Sequence, residues 1–235
     1  MNSQDGSRCK ERAIRKMFAR IAPWYDIINR LMSLGQDNRW RRAAVALASP
    51  NDGWVLDVAT GTGDLAVELT KYTDSVVGLD LCLEMLNRSE IKIEKRGLKS
   101  SVDLIVGDAL ALPFNDNTFD CALNGFVLRN LVDITLFLTE MRRVVKPGGR
   151  VVCLELVRPE SGIIGSIYRF YLDIIVPVLG RALSGDRIAY RYLPESVRCF
   201  LSVAQLQKMM EEAGLQSIYS KSLNFGTVAI HVGVK

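Results

Sequence analysis

From residue 54 onward the apolar positions follow a regular succession. Short apolar runs at 54–59, 75–80, 102–106, 119–124 and 149–157 are interspersed with stretches at 63–72, 82–96 and 133–145 whose apolar residues recur every three or four positions. The runs predict strands and the periodic stretches helices, and such alternation predicts a mostly parallel sheet with helices on both faces. Burial on both faces explains runs such as Val151-Val152-Cys153-Leu154, which lack the polar alternation of a half-exposed strand. The chain closes differently. A helix at 202–213 stops at Gly214, and strands 215–221 and 226–234 are joined by Asn224-Phe225-Gly226, a connection so short that the two strands must be antiparallel. The expected fold class is α/β, a seven-stranded, mostly parallel sheet with a reversed last strand.

Two helical additions flank this pattern. Ile14, Met17, Phe18 and Ile21 fall at helical spacing with Arg12, Arg15, Lys16 and Arg20 on other faces, which predicts a short basic amphipathic helix over 12–21, before Pro23. A second helical stretch over roughly 26–48 runs into the turn formers Ser49-Pro50-Asn51-Asp52-Gly53. Residues 1–50 therefore read as a helical N-terminal extension and 51–235 as the main domain. After Arg158, Ile163, Ile167, Phe170, Ile174 and Val178 form one apolar stripe that Ile164, Tyr168, Tyr171 and Ile175 widen, which reads as a lid insertion over about 158–200. Arg169 and Asp173 interrupt that segment and Pro177 breaks it, so it is not expected to span a membrane.

Composition removes several classes of function. Cys9, Cys82, Cys121, Cys153 and Cys199 are widely spaced, with no C-x-x-C pair, which argues against a disulfide framework or a zinc site and for a reducing, cytoplasmic setting. His231 is the one histidine, so Ser-His-Asp chemistry is not expected. It lies opposite Val228, Ile230, Val232 and Val234 on the last strand, where a structural role is expected. The net charge of +4 is local in origin, since residues 1–50 hold ten Lys and Arg against four Asp and Glu. That segment suits an anionic membrane surface; without aromatic-basic alternation, no nucleic acid is expected as a partner.

The chemistry gathers at strand ends. Val55-Leu56-Asp57-Val58-Ala59-Thr60-Gly61-Thr62-Gly63-Asp64 runs from a strand through a glycine turn into a helix, and Gly61 and Gly63 permit close approach of a ligand to backbone N–H groups. The segment also fits the dinucleotide pattern G-x-G-x-x-A, which leaves an NAD-dependent oxidoreductase as a competitor. Three carboxylates sharpen the choice. Asp57 beside the turn would repel a pyrophosphate but suits a cationic amino-acid moiety through water. Asp80 closes the second strand, where a carboxylate accepts from both ribose hydroxyls, and Asp108 follows the third, placed for an adenine amine with Leu81 and Ala109 on the ring faces.

This set, with the terminal hairpin, resembles the class I S-adenosylmethionine methyltransferases, which implies a Rossmann-like sheet and S-adenosylmethionine as cofactor. Tyr25-Asp26-Ile27-Ile28-Asn29 with Ser33-Leu34-Gly35 and Trp40, Arg129-Asn130-Leu131 with Arg143 to Gly149, Asp108 to Phe114, Tyr190 to Ser196 and Val228 to His231 are similar to the family that C-methylates demethylmenaquinol and the ubiquinone precursor. The resemblance spans roughly residues 14–235. It implies cofactor contacts at Thr62, Asp80, Asp108, Ala109 and Gly125, the last often serine in the family, and Asp37 stands where the family commonly has histidine. The implied acceptor is 2-demethylmenaquinol, with the 2-polyprenyl-6-methoxy-1,4-benzoquinol as alternative. A polyprenylated substrate implies peripheral contact with the cytoplasmic membrane face through segments 12–21 and 163–179, and a homodimer is compatible with the chain. For a ring carbon made nucleophilic by loss of a hydroxyl proton, Arg129 is the expected stabiliser of the phenolate, Asp26 or a water the proton acceptor and Tyr25 the residue that orients the ring. The competing role for Arg129 is an ion pair with Asp133, four residues on.

Overall fold

In the computed structural model, residues 3–50, 52–158, 163–178 and 187–235 are described. Three helices open the chain, α1 (Ser3–Ile21), α2 (Tyr25–Met32) and α3 (Asp37–Ala48). The alternating part follows as β1 (Val55–Val58), α4 (Asp64–Leu69), β2 (Val76–Asp80), α5 (Leu83–Lys95), β3 (Val102–Val106), β4 (Phe119–Gly125), α6 (Ile134–Val144) and β5 (Val145–Leu156). Then come α7 (Ile163–Phe170), a π-helical turn at Tyr171–Ile175, α8 (Arg187–Arg198), α9 (Val203–Glu212), β6 (Gln216–Leu223) and β7 (Val228–Val234).

The sheet has seven strands in the order β3-β2-β1-β4-β5-β7-β6. All pairings are parallel except those of β7, which runs antiparallel to both β5 and β6. The hairpin anticipated from Asn224-Phe225-Gly226 is the device that slots this reversed strand between its neighbours. The strand order reverses between β1 and β4, and in open α/β sheets ligands bind outside the carboxyl ends of strands at such a point.

Each sheet face buries its own apolar layer. Phe137, Leu138 and Met141 of α6 and Leu206 and Met210 of α9 pack against Leu56, Val58, Ala122, Val151 and Cys153 on one face. Trp40, Ala44, Val45 and Ala48 of α3 join Leu65, Ala66 and Leu69 of α4 against Val55, Leu123, Val152, Leu154 and Ile230 on the other. The last helix of the expected extension thus supplies part of the layer that covers the sheet. His231 is fully buried, with Nε2 3.0 Å from the Val203 carbonyl, and burial lowers its pKa, so it ties β7 to the start of α9 as a neutral ring.

A third apolar cluster forms a helical cap. Met17 and Ile21 of α1 and Ile28 of α2 meet Met85 of α5, Leu172 of the π-helical turn and Val176 just after it, and Ala189 and Val197 of α8. The sequence pattern differs from the structure here in three respects. The single helix expected over 26–48 is two, because Leu34 (φ 51°) and Gly35 (φ 75°) take left-handed conformations that no helix continues through. The amphipathic helix expected over 12–21 begins at Ser3, and its apolar face is turned into the cap rather than left free for a membrane. In the 163–179 segment the buried side chains are Leu172 and Val176, whereas Phe170, Ile174 and Val178 point outward and Pro177 lies within helix; the side chains of Ile163, Ile164 and Ile167, and Leu179, fall outside the described residues. The widened turn at Tyr171–Ile175 shifts the helical phase, so the 3.6-residue stripe does not predict the covered face.

Candidate active site

Two cavities lie between the cap and the sheet. The first, of about 150 Å³, is walled by Gly61, Asp80, Leu81, Asp108, Ala109 and Gly125 from the strand ends and by Ile14, Arg15 and Phe18 from α1. Five of the eight residues expected to contact a cofactor therefore converge on one space. β1 and β2 are paired in parallel and in register, which brings the turn after the first beside the carboxylate that ends the second. Asp80 makes that proximity rigid: its Oδ2 accepts from the Gly61 N–H and its Oδ1 from the Cys82 N–H, both at 2.8 Å. A carboxylate offers about four lone-pair sites, so both oxygens keep one for a ligand. Burial pushes the Asp80 carboxyl up, opposed by those backbone donors. Asp108 accepts from the Leu110 N–H at 2.8 Å, which fixes the turn carrying Ala109. There is also space: a Cβ built at Gly61 would meet nothing within 4 Å, and one at Gly125 would only touch Leu65 and Leu154, at 3.8 and 4.0 Å.

Three residues expected at the cofactor stand behind the wall. Asp57 is 1% exposed and accepts from Thr60 Oγ1 at 2.6 Å, holding the glycine turn from beneath; burial pushes its carboxyl up to about 7, against the pull of the Thr60 and Ala66 hydrogen bonds. Thr62 is buried and donates to Asp26 Oδ1 at 2.5 Å. Gly63 (φ 81°) caps α4, and a Cβ there would come within 2.2 Å of Ser89 Oγ. Its absent side chain serves helix packing rather than ligand approach.

The second cavity, of about 330 Å³, opens between α2, the π-helical segment and the β6–β7 turn. Its walls include Tyr25, Asn29, Asp37, Trp40, Arg41, Phe126, Arg129, Tyr168 and Tyr171. Tyr25 and Phe126 also wall the first cavity, so these two rings form the partition between the two spaces. Phe126 is held at φ 65°, a strained conformation for a bulky residue, with Arg41 5.5 Å over its ring and Trp40 edge-on at 6.3 Å. Tyr25 sits edge-on to Phe18 of α1 at 6.0 Å, and burial pushes its phenol up.

Of the expected catalytic residues, Arg129 lines the second cavity, paired with the fully buried Glu155 and donating to the Phe126 carbonyl at 2.8 Å. Burial would lower its pKa, but the charge and hydrogen bond of Glu155 together with the nearby Tyr25 and Tyr192 phenols outweigh this and raise it, so Arg129 is a fixed cation. The alternative pair with Asp133 does not form; Asp133 instead caps α6, accepting from the Leu136 N–H at 2.9 Å. Asp26 lines neither cavity. Its carboxylate is bound by Thr62 and, at 2.7 Å, by Lys92, which removes it from any acceptor in the second space. Glu155, Phe126 and Arg41 were not legible as site residues, because each owes its place to strand adjacency or to packing across the cap.

The fold recurs in solved structures. A SAM-dependent methyltransferase from Aquifex aeolicus superposes with a TM-score of 0.62 at 21% identity, covering 89% of this chain and 96% of that one. Closer relatives appear in sequence. A demethylmenaquinone methyltransferase from Thermus thermophilus is 47% identical over 92% of this chain and 99% of its own length. A ubiquinone/menaquinone biosynthesis C-methyltransferase from Desulfotalea psychrophila is 42% identical over 94% and 90%. The model of the ubiE/COQ5 methyltransferase family matches residues 7–235. With that match running through both cavities, the cap and the reversed strand, the chain belongs to the ubiE/COQ5 methyltransferase family.

Proposed function

We propose that this enzyme transfers a methyl group from S-adenosylmethionine to a ring carbon of a polyprenylated quinol, with 2-demethylmenaquinol as the acceptor. The observation that carries the reading is the partition: Tyr25 and Phe126 alone among the described residues wall both cavities, so a donor in one and an acceptor ring in the other meet at those side chains. In the first cavity Asp80 would hold the ribose hydroxyls, Asp108 the adenine amine, and Leu81 and Ala109 the ring faces, while the open surroundings of Gly61 and Gly125 leave room for the rest. S-adenosylmethionine bound there supplies an electrophilic methyl carbon on a good leaving group. The protein's task is then chiefly alignment and exclusion of water.

The second cavity suits an electron-rich ring that develops negative charge. Arg129 and Arg41 are cations on its wall, placed to stabilise a phenolate oxygen. Tyr25 orients the ring from the partition. The deciding assay pairs radiolabelled methyl donor with reduced demethylmenaquinol, with the reduced benzoquinol precursor and with each oxidised quinone. Transfer to the first exceeds transfer to the second, and both oxidised forms are inert, since only the hydroquinone yields the nucleophilic phenolate. Equal rates with and without reductant refute the mechanism.

The prenyl tail places the enzyme at the cytoplasmic face of a membrane. No helix among the described residues is long and apolar enough to cross one. The contact surface we assign is the rim of the second cavity, where Leu34 and Phe225 are each 83% exposed; Trp24 just before α2, Ile27 and Leu31 on it, and Ile174 and Val178 are exposed apolar side chains on the same helices that wall the cavity. A tail can then remain in lipid while the head group enters the cavity. Co-sedimentation with quinol-bearing vesicles tests this: Leu34→Asp with Phe225→Asp releases the enzyme from the pellet, and unchanged pelleting overturns the assignment.

A further inference from the structure

With Asp26 engaged elsewhere, the reaction lacks a proton acceptor, and the second cavity holds one candidate. Among the described residues on its wall, Asp37 is the sole carboxylate; Glu155 is enclosed behind Arg129. Asp37 is the first residue of α3 and is 3% exposed, so it sees the cavity and little solvent. Ser33 Oγ donates to its Oδ1 at 3.0 Å and Arg41 to its Oδ2 at 2.6 Å, with Arg30 Nε 3.4 Å from Oδ1. Two close hydrogen bonds and one longer contact fix the carboxylate without exhausting its lone pairs. Arg41 in turn lies over Phe126, which links the carboxylate through one side chain to the partition.

We propose that Asp37 is the catalytic base that removes the hydroxyl proton of the quinol, an inference that rests on the quinol reading above. The O–H proton passes to the Asp37 carboxylate as the ring carbon attacks the methyl carbon. The new C–C bond forms while the C–S bond breaks, and the sulfur leaves with the electron pair. The methylated carbon, now carrying both hydrogen and methyl, loses its proton to water as Asp37 returns the first proton to the ring oxygen, so aromaticity is restored. One proton is released per turnover and the carboxylate is regenerated. Arg41 and Arg129 lower the cost of the phenolate from the same wall. The other charged or titratable groups around Asp37 are Arg30 from α2, Asp64 of α4 through its 3.8 Å approach to Arg30 and Arg41, and the phenols of Tyr25, Tyr168 and Tyr171.

The test compares the unmodified enzyme with Asp37→Asn, Asp37→Glu and Asp37→His between about pH 6 and pH 9 on the reduced quinol, with donor affinity measured by calorimetry. Loss of a general base lowers kcat by about 10²–10⁴-fold. Asp37→Asn is expected to show that loss with donor affinity unchanged. Its rate climbs with pH across the range as the quinol ionises unaided, where the unmodified enzyme has levelled off. Histidine accepts a proton but cannot pair with Arg41, so recovery in Asp37→His assigns the role to proton transfer and not to the ion pair. If Asp37→Asn fails to fold, the glutamate and histidine variants decide by the same profiles. A kcat for Asp37→Asn within threefold of the unmodified enzyme overturns the inference, as does a pH-independent loss that neither Glu nor His restores. No transfer by the unmodified enzyme to any quinol is a different result, and it overturns the function itself.

Discussion

Burial of Asp57 beneath the glycine turn makes stability pH-dependent in a definite sense. Its carboxyl is raised from 3.8 to about 7 because the surroundings desolvate the charge more than the Thr60 and Ala66 hydrogen bonds compensate. The native state therefore holds a proton between about pH 4 and pH 7 that the unfolded chain has released, and stability falls as pH rises through that window. A shift of about 3 units corresponds to about 4 kcal/mol in full, at about 1.4 kcal/mol per unit. Of that, about 3 kcal/mol should appear between pH 5 and pH 8.5, since the unfolded carboxyl is already mostly ionised at the lower limit. Asp57→Asn keeps an oxygen to accept from Thr60 and removes the ionisation. Its absolute stability includes the cost of a buried amide N–H pair, but that cost is constant with pH. Urea unfolding of both proteins at several pH values isolates the titration: the variant should gain about 3 kcal/mol on the unmodified protein from pH 5 to pH 8.5. A gap that stays flat across that range would mean that Asp57 is solvated or paired well enough to titrate normally.

Asp80→Ala should weaken S-adenosylmethionine binding by about 1–3 kcal/mol, read by calorimetry, because ribose hydroxyls lose acceptors and the Gly61 N–H loses the partner that shapes the turn. Arg129→Ala should destabilise the fold by about 3–5 kcal/mol by stranding Glu155 in the core, and Arg129→Met with Glu155→Gln should recover most of the lost Tm while leaving the enzyme inactive; no recovery would place the defect outside the ion pair. Gly63→Ala should cost about 1–3 kcal/mol, since its Cβ meets Ser89 Oγ at 2.2 Å on a left-handed backbone; adding Ser89→Ala should return only part of this, the conformational strain remaining.

Sequence alone determined what depends on local periodicity and on residues a few positions apart. Buried strands, amphipathic helices, the glycine turn after β1 and the hairpin that reverses β7 are all written in spacings of two to four residues, and strand order then brings Gly61, Asp80, Asp108 and Gly125 together at the carboxyl edge. Tertiary structure decided which apolar face is covered and which charge meets which. The pattern at 12–21 states that α1 has an apolar face, yet only packing shows that face closing over Leu172, Val176 and the first cavity. Arg129 finds Glu155 across the ends of β4 and β5, 26 residues away, in place of Asp133 on its own turn of chain. Asp26 is drawn off by Thr62 and Lys92, and Asp37 is left as the carboxylate facing the acceptor space. The reason is common to all three: a charge loses much of its hydration when buried and takes whatever partner the fold presents within about 4 Å, and separation along the chain does not set that distance.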